Sequence, residues 1–370
     1  MRIFYAAQNT ANGTIPASRV WYRNLYLSLV KLGHDVVATK MDFDEAMAHA
    51  RDRLWFEARR QAFAEGLLAE VKTAHATRPI DLFFSYCHSS CITPEIVREI
   101  RSLGVLTLNF SCNNVHQFRL VEEIAPAFDY CMVPEKVALP KFTAVNARPV
   151  HVQMAANPDF YRPYPLPVDF GVTFVGQRYG NRPRIIDYLL RRGTAVEVWG
   201  PGWVADDARV TPRPVSVRAR HLVRRVISAG RERRLARIGH GPLEDEAVVR
   251  MYSRSKISLG FSVVSERVEK GTPDSHLRLR DFEAPMSGAC YLTGWTEEIG
   301  DYFEPEKEVL TYRDPNELAE KIRFYLANAA AREAIRQGGH KRALAHHKWT
   351  DRFEQLFAAV GLDPALGRAR

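Results

Sequence analysis

Short apolar runs alternate with amphipathic stretches along the chain. "RIFYA" (2–6) predicts a strand, and "PASRVWYRNLYLSLVKLG" predicts a helix with Pro16 in its first turn and Gly33 at its end. "HDVVAT" reads as the next strand, followed by a long helix from about Glu45 to Ala76. "DLFFSYC" (81–87), "VLTLNF" (105–110), "DYCMV" (129–133) and "PVHVQ" (149–153) continue the series, with "TPEIVREIRSLG" as one intervening helix. Strands that alternate with helices argue for a parallel, doubly wound sheet in an α/β fold.

The rhythm breaks at "AANPDFYRPYPLPVD" (155–169), where Pro158, Pro163, Pro165 and Pro167 disfavour both helix and central strand. This segment reads as an interdomain linker. Beyond it the alternation restarts with strand "VTFVG" (172–176), helix "RPRIIDYLLRRG" and strand "AVEVWG". Helix "DEAVVRMYSRS", strands "KISLGFSV", "CYLT" and "EVLTY", and terminal helices follow. The predicted organisation is an N-terminal domain over 1–160 and a C-terminal domain over 168–347 with a basic insertion at 205–241. A last helix at 349–362 crosses back to the first domain. Two such domains facing each other place a cleft beyond the carboxyl ends of their strands, where open parallel sheets bind ligands.

A length of 370 residues accommodates two domains, and 46% hydrophobic content excludes disorder as the default state. No secretory signal and no run of 18 apolar residues is visible, so the expected location is cytoplasmic. The five cysteines form no CxxC pair and read as buried thiols. A net charge of +9 points to anionic partners: a phosphorylated ligand, an acidic membrane or nucleic acid.

Three segments carry candidate chemistry. "HLRLRDFEAPMSGACYLTG" (276–294) sets His276, Arg278, Arg280 and Glu283 ahead of the small residues Ser287, Gly288 and Ala289. A carboxylate at such a helix start accepts hydrogen bonds from a vicinal diol such as a ribose, while arginines and helix amides take phosphates. The alternative is a carboxylate that only complements the helix dipole. "FVGQRYGNRPR" (174–184) offers a similar anion cradle, with Gly176 allowing close backbone approach and Arg178 or Arg182 clamping a diphosphate. "AAQNTANGTIPAS" (6–18) joins the first strand to the first helix, and its Asn12 and Gly13 stand at the expected cleft edge.

Four stretches carry a resemblance: "LRLRDFEAPMSGACYLT", "DFGVTFVGQRYGNRPR", "VHVQMAANPDFYRP" and "DEAVVRMYSRSKISLGF". They are similar to the successive motifs of the CgeB-like, spore-maturation type glycosyltransferases, relatives of the family-4 retaining sugar transferases. The match covers most of residues 80 to 350. It implies a GT-B fold of two Rossmann-like domains, a nucleotide-diphosphate sugar donor, and transfer with retention. Glu283 then matches the glutamate that holds the donor ribose, Arg280 the arginine before the Phe-Glu pair, and Arg178 the diphosphate arginine. Ser275 stands where family-4 enzymes carry a second glutamate, and Asn109 and Ser111 stand where they often carry a histidine.

The resemblance implies a metal-free mechanism. Breaking the sugar–diphosphate bond builds negative charge on the leaving group, which Arg178 and Arg280 stabilise electrostatically. The leaving phosphate then helps to deprotonate the acceptor. His88 in "SYCHSS" is a candidate for contact with sugar or acceptor, and Asn113, Asn114 and His116 lie in a similar loop. Asp42-Phe43-Asp44 formally matches a metal-binding DxD, but N-cap duty explains it better. Glu244-Asp245-Glu246 likewise opens a helix. No cofactor is expected beyond the donor itself.

The insertion "RPVSVRARHLVRRVISAGRERRLARIGHG" (213–241) holds nine arginines against Glu232 alone. Leu222, Val223, Val226 and Ile227 form an apolar stripe flanked by Arg220, Arg224, Arg225 and Arg231. It reads either as a docking element (213–238) for an anionic membrane on the inner face, an acidic acceptor or a partner, or as a solvated helix packed on its own domain. The segment lacks the interleaved aromatics that nucleic-acid binding requires. The acceptor is left unidentified, and a carbohydrate, a lipid-linked group or a protein is expected. Two rival readings keep the nucleotide pocket: a binding protein without transfer, and a GT-B epimerase.

Overall fold

The computed structural model describes residues 1–8, 18–43, 53–204, 221–265 and 274–362, with backbone alone at 53–58, 221–228, 264–265 and 274. The chain divides into two units, Met1–Asn157 with His346–Arg370, and Pro158–Ala345.

Unit one holds a six-stranded sheet in the order β2-β1-β3-β4-β5-β6, parallel throughout. Its strands are β1 Arg2–Ala6, β2 Asp35–Ala38, β3 Leu82–Ser85, β4 Leu106–Phe110, β5 Tyr130–Val133 and β6 Pro149–His151. The central "LFFS" of β3 is buried at every position, as a strand covered on both faces must be. Strand order reverses between β1 and β3, the switch point of this sheet. The expected first helix contains a five-residue π-helical stretch, Tyr22–Tyr26, that leads into Leu27–Lys31. Its Asn24 is buried and accepts a hydrogen bond from Asn157 N–H at 3.1 Å. The long helix runs over Arg53–Thr77 in the described residues. The last helix, Trp349–Ala359, belongs to this unit: Phe353 meets Phe84 edge-on at 5.6 Å, and Arg352 Nε donates to Gln153 O at 3.1 Å.

Unit two holds a second parallel six-stranded sheet in the order β14-β13-β10-β7-β8-β9. Its strands are β7 Phe170–Val175, β8 Val196–Trp199, β9 Gly239–His240, β10 Ser255–Leu259, β13 Tyr291–Gly294 and β14 Leu310–Tyr312. Two strands lie on one side of β7 and three on the other, so the switch point falls between β7 and β10. "KISLGFSV" does not run as one strand. The ladder ends with Gly260 N–H bonded to Leu292 O, and a separate antiparallel pair follows, β11 Val263–Ser265 with β12 Asp274–Ser275.

The helix His221–Ile238 confirms the helical reading of the basic segment. The side chains of the apolar stripe, Arg220, Arg224 and Arg225 lie outside the described residues. The second half of the helix packs on its own unit: Leu235 is fully buried, and Arg234 pairs with Asp187 at 2.7 Å. All five cysteines are buried and unbridged. Among the described residues, no helix is long and apolar enough to cross a membrane.

Candidate active site

The chemistry-bearing residues of unit two gather at the carboxyl ends of β7 and β10. Strand β7 delivers Gly176, and the loop Gln177–Asn181 leads into the helix Arg182–Arg191. Arg182 folds back onto that loop, donating from Nη1 to Gln177 O and from Nη2 to Tyr179 Oη, both at 2.8 Å. Its guanidinium lies 3.9 Å from the Tyr179 ring centroid. Burial lowers its pKa to about 10, with Arg278 and Arg280 pushing the same way, so the three cations are close enough to repel.

The helix Arg280–Met286 follows on the other side of the switch point. Arg280 lies against the end of β7, so a Cβ on Gly176 would stand 2.9 Å from its Nη1. Burial opposes the Arg280 charge, but Tyr252, Glu283, Tyr291 and Tyr161 around it raise its pKa overall. Arg182 Nε, Arg278 Nε and Nη2, and Arg280 Nε are buried without a hydrogen-bond partner. Four guanidinium nitrogens in this condition call for an anionic acceptor, because buried donors rarely stay unpaired.

Two carboxylates balance this charge. Asp281 is 1% exposed and accepts from Arg278 N–H at 2.6 Å, Tyr291 Oη at 2.9 Å and Thr293 Oγ1 at 3.0 Å. Burial raises its pKa, and these donors partly offset the rise. It therefore fixes the turn that presents Arg278 and Arg280. Glu283 is buried too and takes a hydrogen bond from the Tyr161 hydroxyl, whose own pKa burial and this neighbour raise. Tyr161 comes from the proline-rich stretch, which is docked on unit two: Tyr164 N–H donates to Ser253 Oγ at 2.9 Å.

The small residues after Glu283 close the helix. Ala289 N–H bonds Ala284 O and Gly288 N–H bonds Pro285 O, with Gly288 at φ +72°, a Schellman cap. A Cβ on Gly288 would come within 2.9 Å of Pro163 Cγ, so glycine serves both the turn and the close approach.

Other expected residues lie elsewhere. Arg178 pairs with Glu232 at 2.5 Å, donates to Gly202 O at 3.4 Å and lies 5.8 Å from the Trp203 ring, turned to the basic helix. His276 is buried beside β12, its N–H directed to Ser262 O at 3.4 Å. Gly13, Asn12 and Asp44 lie outside the described residues. Asp42 is exposed.

In unit one, His88 is buried, its ring 5.8 Å from that of Tyr86. Asn109 is absorbed by Ser85 and Cys87. Ser111 is buried, and His116 is exposed. Glu135 had no sequence signal. It accepts from Asn113 N–H at 2.5 Å and Asn114 Nδ2 at 2.9 Å, with Asn113 at φ 64°, and burial raises its pKa. Asp281 and Tyr161 were likewise missed. Asp281 could have been flagged as the acid between two arginines and a Phe-Glu pair, whereas nothing in "NPDFYRP" singles out Tyr161.

Residues 182–358 match the family model described as glycosyl transferase-like. No functionally curated protein matches the sequence. Solved structures share the fold at low identity. The sucrose-phosphate synthase of Thermosynechococcus elongatus is 15% identical, with 97% of this chain and 100% of that chain covered and a TM-score of 0.62. Anabaena HepE in complex with UDP-glucose is 12% identical, with 97% and 99% covered and a TM-score of 0.60. A glycosyltransferase of Rickettsia africae is 10% identical, with 97% of each chain covered and a TM-score of 0.57. The fold is GT-B, and with the family match it supports an enzyme of the GT-B glycosyltransferase class.

Proposed function

We propose that the protein transfers a sugar from a nucleotide-diphosphate donor to an acceptor, with retention and without metal, as a member of the CgeB-like type. The observation that carries this reading is the convergence of Arg182, Arg278 and Arg280, with buried unpartnered nitrogens, at the β7/β10 switch point. Such a trio suits a diphosphate, whose charge rises as the glycosidic bond breaks, and fixed cations stabilise that rise without reorganising. Glu283 suits the ribose diol, and HepE, a protein of the same fold, is solved with UDP-glucose. Arg178 is left out of the set, because Glu232 occupies its guanidinium.

The leaving phosphate takes the acceptor proton in this reading, and His88 contacts the sugar or the acceptor. The basic segment 213–238 rests peripherally on an anionic membrane and so brings the enzyme to a lipid-linked acceptor.

The test is turnover of nucleotide sugars in the presence of EDTA. Release of nucleoside diphosphate, by transfer or slow donor hydrolysis, at unchanged rate supports the proposal. Loss of activity in EDTA with recovery on Mn²⁺ or Mg²⁺ overturns metal independence. Donor binding without any release points to a binding protein, and conversion of the donor sugar without acceptor points to an epimerase.

A further inference from the structure

Strand β13 carries Tyr291 and Thr293 two residues apart, so both side chains leave the sheet on one face. β10 runs beside it with Ser258 opposite Tyr291 and Leu259 opposite Leu292. The ladder closes with Gly260 N–H on Leu292 O at 2.8 Å. A Cβ on Gly260 would overlap Tyr291 Oη and stand 2.5 Å from Thr293 Oγ1. Glycine therefore clears the space that the two hydroxyls occupy. The Tyr312 hydroxyl of β14 donates to Gly260 O at 3.0 Å and holds that backbone in place.

Both β13 hydroxyls donate to one atom, Asp281 Oδ1, at 2.9 Å from Tyr291 and 3.0 Å from Thr293. The other oxygen accepts from Arg278 N–H at 2.6 Å, and Asp281 N–H returns a bond to Arg278 O at 3.0 Å. The carboxylate thus ties β13 to the turn that carries Arg278 and Arg280. Arg182 is secured differently, through bonds from its own guanidinium to Gln177 and Tyr179. Stability alone does not call for the β13 arrangement. Asp281, Tyr291 and Thr293 are each 1% exposed, and apolar residues in place of buried ionic groups are often neutral or stabilising. A buried carboxylate with three donors instead holds one geometry.

We propose that Tyr291 and Thr293 are positioning residues of the donor site: in the room left by Gly260 they fix Asp281, and through it the turn that aims Arg278 and Arg280 at the diphosphate. This inference rests on the donor reading above and adds the residues that set its geometry.

The probe is whichever of UDP, GDP and ADP binds the full-length wild type most tightly in calorimetry, well below the melting temperature. Tyr291→Phe and Thr293→Val each keep the carboxylate and remove one hydroxyl, and each should weaken that binding about twofold to tenfold. Thr293→Ser, which returns the hydroxyl, should recover wild-type affinity. Gly260→Ala removes no hydrogen-bonding group, yet should weaken binding roughly tenfold because its Cβ displaces both hydroxyls. If that variant fails to fold, Tyr291→Phe and Thr293→Val decide. Leu318→Ala, in the core of the same unit, should lower the melting temperature and leave affinity unchanged, which separates positioning from lost stability. The inference is overturned if the Phe and Val variants bind like wild type, if Thr293→Ser binds as weakly as Thr293→Val, or if Leu318→Ala weakens binding as much as they do. Any of these leaves the donor reading in place, whereas a wild type that binds none of the three nucleotides overturns both.

Discussion

Gly176 and Arg280 approach so closely that a Cβ on the glycine would stand 2.9 Å from Arg280 Nη1 and 2.6 Å from Phe174 Cζ. Gly176→Ala therefore has to move either a core ring or the guanidinium. Overpacking of this kind costs about 1–3 kcal/mol. Lower thermal stability together with reduced donor affinity is the expected outcome. A variant with wild-type melting and wild-type affinity would show that the contact relaxes freely.

Glu283→Gln should weaken nucleotide-diphosphate binding roughly tenfold to a hundredfold, the value of a charge-assisted hydrogen bond of about 1.5–3 kcal/mol. Tyr161→Phe removes only the neutral donor that holds this carboxylate. Its effect should be smaller, about twofold to tenfold. Calorimetry on both variants separates the cases: equal affinity in wild type and Glu283→Gln removes Glu283 from the site.

His34 supplies a pH dependence. It is 9% exposed, its Nε2 has no partner, and its ring meets Phe357 at 5.4 Å. Burial, with the N-terminal amine adding to it, lowers its pKa. A histidine depressed in the folded state binds fewer protons there than when unfolded, so its contribution is present above the ordinary value of about 6.5 and is lost as pH falls below it. His34→Leu should reduce the drop in melting temperature between about pH 7.5 and 5. An identical drop in both proteins would assign the acid sensitivity to other groups.

Liposome flotation tests the basic segment. Wild type should float with anionic vesicles and detach as salt is raised, since each arginine near such a surface contributes about 1 kcal/mol that ions screen. Arg220, Arg224 and Arg225 changed together to Glu should abolish flotation. Equal flotation of both proteins would return the segment to a helix packed on its own unit, the role Leu235 and Arg234 already show for its second half.

The alternation of elements was legible because parallel strands are buried on both faces and read as apolar runs, as β3 and β4 do. The short β11 and β12 were not, since two or three residues carry no period. The arginine-rich loops were visible as candidate anion sites, but adjacency in sequence does not say which arginine turns inward. Arg182 stacks on Tyr179 and faces its fellow cations, while Arg178 is drawn away by Glu232, a partner on a distant helix. Tyr161 was hidden for the same reason: its contact with Glu283 is created by folding and leaves no local mark.

The locked side chain of Arg182 also has an entropic consequence for binding. Its side chain is stacked and doubly hydrogen-bonded within its own loop. The rotamer freedom of a long side chain is thus lost when the chain folds, and an arriving anion does not have to freeze it. Immobilising such a side chain on binding ordinarily costs about 0.5–1.5 kcal/mol. An arginine trio with one member already locked should capture its anion with a correspondingly smaller entropic penalty, and Tyr179 and the Gln177 carbonyl are the partners that secure this advantage.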